Sequence, residues 1–293
     1  MAYGLAAWLV GLALVTGGGE PDAGAERPEP AGAVEAAGAR FADGRALLEA
    51  LGERDREIRT LTGQVRLTGI QVLQGDTQQR RGRLAMRTEH GAAGDGREAP
   101  DRRMFAVWFD SLRLGRRVED IDERFVFDGR WLVERLPREK QFIKREIVPA
   151  GRTLDPMELM RDAPFWVSVG DDAARVLRDY HADVLPASDG LVDAETPELA
   201  GLARLVEGCV QLRLRPREGS AAEDGWESVR LWFTPDDLLP RLYVKTAWTG
   251  DLQIAELFGV EVNGETPEGA FDTTPPAEGS GWQVQISAWR GRE

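Results

Sequence analysis

The sequence predicts an α+β fold: one continuous antiparallel sheet with helices over one of its faces. Three observations carry this. An amphipathic helical stretch lies near the start, and a long series of strand-like runs follows it. Turns of hairpin length join those runs, which is how antiparallel strands connect. Two short helical stretches interrupt the series once, and no solenoid-length repeat runs along the chain.

The elements follow in order. Between Phe41 and Leu61, Leu47, Leu48, Leu51, Ile58 and Leu61 recur at helical spacing among Glu, Arg and Asp, and Thr62-Gly63 ends the pattern. Strands are expected over 64–73, 80–88, 103–114, 124–127, 131–136 and 141–148. Asp128-Gly129 and Pro137 to Lys140 are turn signals between the last three. Helices are expected over 154–162, where Asp155 suits a cap and Pro156 the first turn, and over 171–180, opened by two acids. Strands resume at 209–216, 228–234, 240–248, 253–262 and 283–289, with Thr249-Gly250-Asp251 as a hairpin signal.

Upstream, Ala2 to Thr16 is apolar and Gly17-Gly18-Gly19 follows it. The run is shorter than the roughly 20 residues a bilayer span needs. It suits the apolar region of a secretory signal, with Ala23-Gly24-Ala25 as the small-x-small cleavage site. No Lys or Arg precedes the run, and an uncleaved anchor is the alternative. Glu20 to Ala39 is Pro, Gly, Ala and Glu, a composition that buries little. The expected organisation is a signal over 1–25, a flexible linker over 26–40 and a single domain over 41–293.

A 42% share of hydrophobic residues in 293 is enough for a sizeable core. The net charge of −13 argues against a nucleic-acid partner, which would need clustered Lys and Arg. The single cysteine, Cys209, forms no internal disulfide and reads as a small buried hydrophobe. Neither His90 nor His181 has metal-site neighbours, so no metal or other cofactor is expected. Phosphate loops, zinc-protease helices and serine elbows are absent as motifs. Acid pairs such as Asp120/Asp122 and Asp236/Asp237 are what chance gives in an acidic chain. No catalytic group stands out, and no enzyme is expected.

Apolar alternation is the stronger signal. Phe105, Val107 and Phe109 alternate along one strand, as do Leu231 with Phe233 and Leu242 with Val244. Phe125 and Phe127 flank the Asp-Gly turn, and Trp131 shares a strand face with Val133. Met157 and Met160, then Phe165 and Trp166, add soft and aromatic groups. Periodicity leaves two readings open for these residues, core packing or a cavity wall.

A resemblance bears on that choice. The stretch 125–147 (FVFDGRWLVERLPREKQFIKREI) is similar to the Asp-Gly-x-x-Leu, Pro and Gln strand-turn-strand of the LolA-like lipoprotein carriers. Residues 239–276 resemble that family's closing hairpin, with Phe271, Pro275 and Pro276 matching its Phe and Pro-Pro ending. Residues 58–68 resemble its first helix and strand, and the similarity spans roughly 41 to 276. Leu132 matches the family's Leu, while Val133 stands where an aromatic follows, and Ala106 and Val107 stand where the carriers have an Arg. The resemblance implies a strongly curved, unclosed half-barrel with helices over its concave apolar face. It further implies a periplasmic carrier of lipoprotein acyl chains or other lipid, serving a membrane-bound donor or acceptor protein. Phe105, Val107, Phe109, Phe125, Phe127, Trp131 and Val133 become the expected lining, with Met157, Met160, Phe165, Trp166, Phe233 and Val244. A sensor or structural module binding a protein partner at the envelope is the alternative.

Overall fold

The computed structural model describes residues 40–89, 93–94, 97–98, 102–149, 173–192, 196–220 and 226–289. Helix α1 (Gly44–Glu57) leads into β1 (Thr60–Gln71) and β2 (Asp76–Glu89). A two-residue ladder, β3 (Ala93–Gly94) with β4 (Arg97–Glu98), precedes β5 (Arg102–Leu114), β6 (Arg117–Phe127), β7 (Trp131–Leu136) and β8 (Gln141–Glu146). Then come α2 (Ala173–Asp179), β9 (Tyr180–Leu185), α3 (Pro197–Ala200), β10 (Val210–Pro216), β11 (Ser228–Phe233), β12 (Pro240–Thr246), β13 (Leu252–Val262) and β14 (Gln283–Ser287). Twelve strands form one sheet in the order β14-β8-β7-β6-β5-β2-β1-β13-β12-β11-β10-β9. Its end strands, β14 and β9, are not paired with each other, so the curved sheet is an unclosed half-barrel of the α+β class. The expected all-antiparallel sheet has one exception: β14 joins β8 in parallel.

Helix α1 starts where Asp43 accepts the Ala46 N–H at 2.9 Å, an N-cap bond. It stops earlier than the expected 41–61, because Ile58 is already extended. Ile58, Thr60 and Thr62 are β-branched, and the chain enters β1 where helical spacing alone would have continued. Its Leu47, Leu48 and Leu51 are buried against the sheet. Two strands escape the sequence expectation in part or whole. β6 begins at Arg117, ahead of residue 124, because its outer half (117–123) is mostly charged and held by ion pairs such as Arg117–Glu119 at 2.8 Å. β9 takes over at Tyr180, where the expected helix ends; Tyr180 stacks on Trp226 at 5.1 Å. The expected helix over 154–162 lies outside the described residues.

The turns obey their chemistry. At Asp128 the carboxylate accepts the Arg130 and Trp131 N–H groups at 2.9 and 2.8 Å, and Gly129 supplies a φ of 94°. This loop pairs Phe127 with Leu132. That pairing fixes which side chains share a face, since residues opposite each other in a ladder point the same way.

Both faces of the sheet are apolar. On the concave face, Leu47, Leu48 and Leu51 of α1 and Val176 of α2 pack with Val65, Leu67, Phe105, Phe127, Leu212, Leu231 and Tyr243. The other face carries two smaller clusters. One sets Trp232, Leu242, Val244 and Ile254 beneath Leu191, Leu202 and Val206 of the segment that follows β9. The indole of Trp232 donates to the Ala187 carbonyl at 2.7 Å, which anchors that segment. The other cluster sets Ala106, Val126, Val133 and Phe142 beneath Phe271 and Trp282 of the chain after β13. Helices on one face therefore describe only half of the covering.

Two outcomes test this arrangement. A Cβ at Gly44 would stand 2.2 Å from the Ala182 carbonyl oxygen of β9, so α1 lies against the sheet with no room for a methyl group. Gly44→Ala should lower stability in urea by about 1–3 kcal/mol, despite the better helix propensity of Ala. At the sheet's end, the Glu146 carboxylate accepts the Trp289 N–H at 2.9 Å and pairs with Arg130 at 2.7 Å. The Trp289 bond, then the Arg130 bond, hold its pKa below the usual value of 4.5. A lowered folded pKa stabilises above the unfolded value and is lost as pH falls through the folded one. Amide protection of β14 should therefore weaken selectively below about pH 4.5 in hydrogen-exchange experiments, while β1 and β13 stay protected.

Candidate functional site

The concave face between β13 and β7 is where the sequence-predicted residues converge. Register sets Phe105 opposite Phe127 and Val107 opposite Phe125. Phe105 and Phe127 stack with centroids 5.4 Å apart; Phe109 and Phe125 meet edge to face at 5.9 Å. All five side chains are buried, Phe127 completely. Phe233 joins the same face on β11. Ion pairs bound this apolar surface along β2, β6, β7 and β8. Arg80 and Glu123 meet at 3.0 Å with both side chains largely buried, and Arg145 bonds the buried Glu134. Charges removed from water this far require such partners.

Beside the aromatic rows lies a cavity of about 30 Å³, walled by Leu61 and Val65 of β1, Leu84 and Met86 of β2, Phe105 and Val107 of β5, and Pro240, Ala255 and Leu257. Its wall is almost entirely apolar. That volume is about one water molecule's share of the liquid, well short of the roughly 300 Å³ at which small-molecule pockets begin. Most of these residues escaped the sequence reading. Leu61, Val65 and Leu67 alternate along β1 as clearly as the phenylalanines do along β5, and that alternation was the available signal.

Three predicted lining residues sit on the other face. Because Phe127 pairs with Leu132, Trp131 and Val133 point away from Phe125 and Phe127. Val133 packs with Val126 and Phe142, and Trp131 lies beneath the cations of Arg130 and Lys144, 5.4 and 5.3 Å from its ring. Val244 is set with Trp232 and Leu242 under the segment after β9; its neighbour Tyr243 faces the concave side. Met157, Met160, Phe165 and Trp166 lie outside the described residues.

A second hollow of about 380 Å³ opens on the other face, between Gln64, Arg83, Trp108 and Arg124 and the chain at 267–270. Its cations already have partners: Arg83 is 3.7 Å from Asp110, and Arg124 is 3.0 Å from Asp122. Burial pushes the Cys209 thiol up, with Arg241 drawing it only partly back, so it packs as a hydrophobe. Among the described residues no group of three His, Cys, Asp or Glu is placed to hold a metal ion, and no helix is long and apolar enough to cross a membrane.

Fold and site define an open α+β half-barrel with an apolar concave face. No protein-family model matches the chain, and no curated protein does. Among solved structures it is similar to a LolA superfamily protein from Nitrosomonas europaea, at 13% identity and a TM-score of 0.31, over 77% of this chain and 97% of that one. It is also similar to a putative outer membrane lipoprotein-sorting protein domain from Vibrio parahaemolyticus, at 12% identity and a TM-score of 0.32, over 77% and 95%. The Pseudomonas aeruginosa MucA/MucB complex aligns at 13% identity and a TM-score of 0.40, over 78% of this chain and 60% of that chain.

The assignment of faces has a direct readout. Phe127→Ala should cost about 3–5 kcal/mol in urea unfolding, as the loss of a fully buried ring does. Trp131→Ala, on the half-exposed face, should cost about 1 kcal/mol or less. The opposite order would mean that the two faces have been exchanged.

Proposed function

We propose that the protein is an exported, non-catalytic carrier, residues 41–293 acting as one domain, that shelters acyl chains of lipoproteins or other lipids against its concave face. The observation that supports this most is the continuity of the Phe105/Phe127 and Phe109/Phe125 rows with an apolar cavity on the face covered by α1. The N-terminal apolar run with Ala23-Gly24-Ala25 supports export, and the motifs at 125–147 and 239–276 support the carrier reading.

A cavity of about 30 Å³ holds no acyl chain, so loading has to displace part of what fills this face. Leu47, Leu48 and Leu51 of α1 are the apolar groups a chain would replace. A sixteen-carbon chain gains on the order of ten kcal/mol by leaving water, at about 0.8 kcal/mol per CH₂. Exposing three leucines takes back about 1.5–3 kcal/mol each. The difference is a modest net affinity, which is what a carrier that must release its cargo requires.

A second reading has its own observation. β14 ends the sheet with the uncharged run Gln283–Ser287, and its Val284 and Ile286 are exposed. Such an edge can accept a strand from a protein partner. One experiment separates the two. Protein purified from its native envelope should release lipid on denaturation, detected by mass spectrometry, and should bind a fluorescent fatty probe that lipid displaces. Finding neither lipid nor probe binding would overturn the carrier reading in favour of the partner-binding one.

A further inference from the structure

Two polar atoms on the concave face, those of Tyr243 and Gln253, have no bonding partner among the described residues. The side chain of Tyr243 is almost completely buried in the main cluster, yet its hydroxyl bonds nothing among the described residues. On the adjacent strand, the buried Oε1 of Gln253 is in the same position. Native proteins rarely leave such groups unmatched, and each one calls for an explanation.

Register brings the two together. Tyr243 of β12 pairs with Ala255 of β13, and Lys245 pairs with Gln253. Gln253, Ala255 and Leu257 alternate along one face of β13, so Gln253 is the diagonal neighbour of Tyr243. Ala255 and Leu257, the next two residues on that face, wall the apolar cavity. The side chains that carry an unfilled donor and an unfilled acceptor among the described residues are therefore diagonal neighbours, next to one end of an apolar space. Burial opposes ionisation of the phenol and pushes its pKa far up, so it stays a neutral O–H donor.

We propose that Tyr243 and Gln253 form the polar end of the ligand site and bond the head of a long-chain amphiphile whose tail runs along Ala255 and Leu257 toward Phe105. The proposal rests on the carrier reading and adds the class and orientation of the ligand. The head must accept from the Tyr243 hydroxyl and donate to the Gln253 carbonyl, which a hydroxyl or an un-ionised carboxyl does. A carboxylate would have no proton for Gln253.

The test compares wild type with Tyr243→Phe, using 1-dodecanol and 1-chlorododecane as competitors of N-phenyl-1-naphthylamine fluorescence. The two alkyl compounds share a chain and differ in the hydroxyl. Tyr243→Phe should weaken dodecanol about tenfold, the worth of one hydrogen bond, and leave chlorododecane within about twofold. The ligand-free variant should melt no lower than wild type, because the deleted hydroxyl satisfies nothing. Equal effects on both compounds, or none on either, would overturn the assignment; the second result would mean that water alone fills the gap. A lower melting temperature of the ligand-free variant would also overturn it, by showing that the hydroxyl has a partner within the protein. If wild type binds neither compound, the carrier reading itself fails and this proposal falls with it.

Discussion

The sheet depends on one seam, the pairing of β1 with β13. Strands β2, β5 to β8 and β14 lie on one side of it, and β9 to β12 lie on the other. Its register runs from Leu61 opposite Val262 to Ile70 opposite Leu252, with one irregularity between Thr62 and Gln64. Side chains reinforce it along its length. The Nη1 of Arg66 donates to both carboxylate oxygens of the buried Glu256 at 3.1 and 3.0 Å, a charge-assisted bond across the seam. At one end Asn263 accepts the Arg59 N–H and donates to the Glu57 carbonyl; at the other Asp251 accepts the Val72 N–H. Residues nearly two hundred positions apart close this seam, and pairing over such separations is intrinsically slow. The concave face does not exist until it forms, since β1, β13 and β12 supply one wall of the cavity and β2 and β5 the other.

Much of the architecture was readable. Hairpin-length turns announced an antiparallel sheet, and the leucines of α1 announced the helix. What periodicity could not supply was parity. A period of two says which residues of a strand point the same way, but not toward which side of the sheet. The loop at 128–131 decides the matter for β7, because it closes on Phe127 and Leu132 and so sends Trp131 and Val133 outward. Val244 failed for a related reason. Where segments after β9 and β13 cover the second face, both faces of a strand are apolar, and alternation between Tyr243 and Val244 carries no sign. Charged β6 was read short because its acids are partnered by Arg117, Arg124 and Arg80, and those partners are invisible in a linear string.

The concave face combines two demands that conflict. Stability favours filling it, and the side chains of α1 and of Phe105, Phe125 and Phe127 do so down to a space the size of one water. The proposed binding of an acyl chain would favour leaving it open. The conflict resolves if the filling groups are exchangeable, since apolar contacts are non-directional and one hydrocarbon serves as well as another. The buried hydroxyl of Tyr243, without a partner among the described residues, is a polar group that costs stability in so filled a face.

The parallel strand β14 has a consequence for how the chain is made. β8 is synthesised long before its partner, so the rim of the growing sheet stays bare while the whole of β9 to β13 is still being added. Lys140, Lys144 and Arg145 sit along that rim, and positive side chains there discourage stray pairing. That edge is unpaired until the chain reaches residue 283 and β14 can add to it.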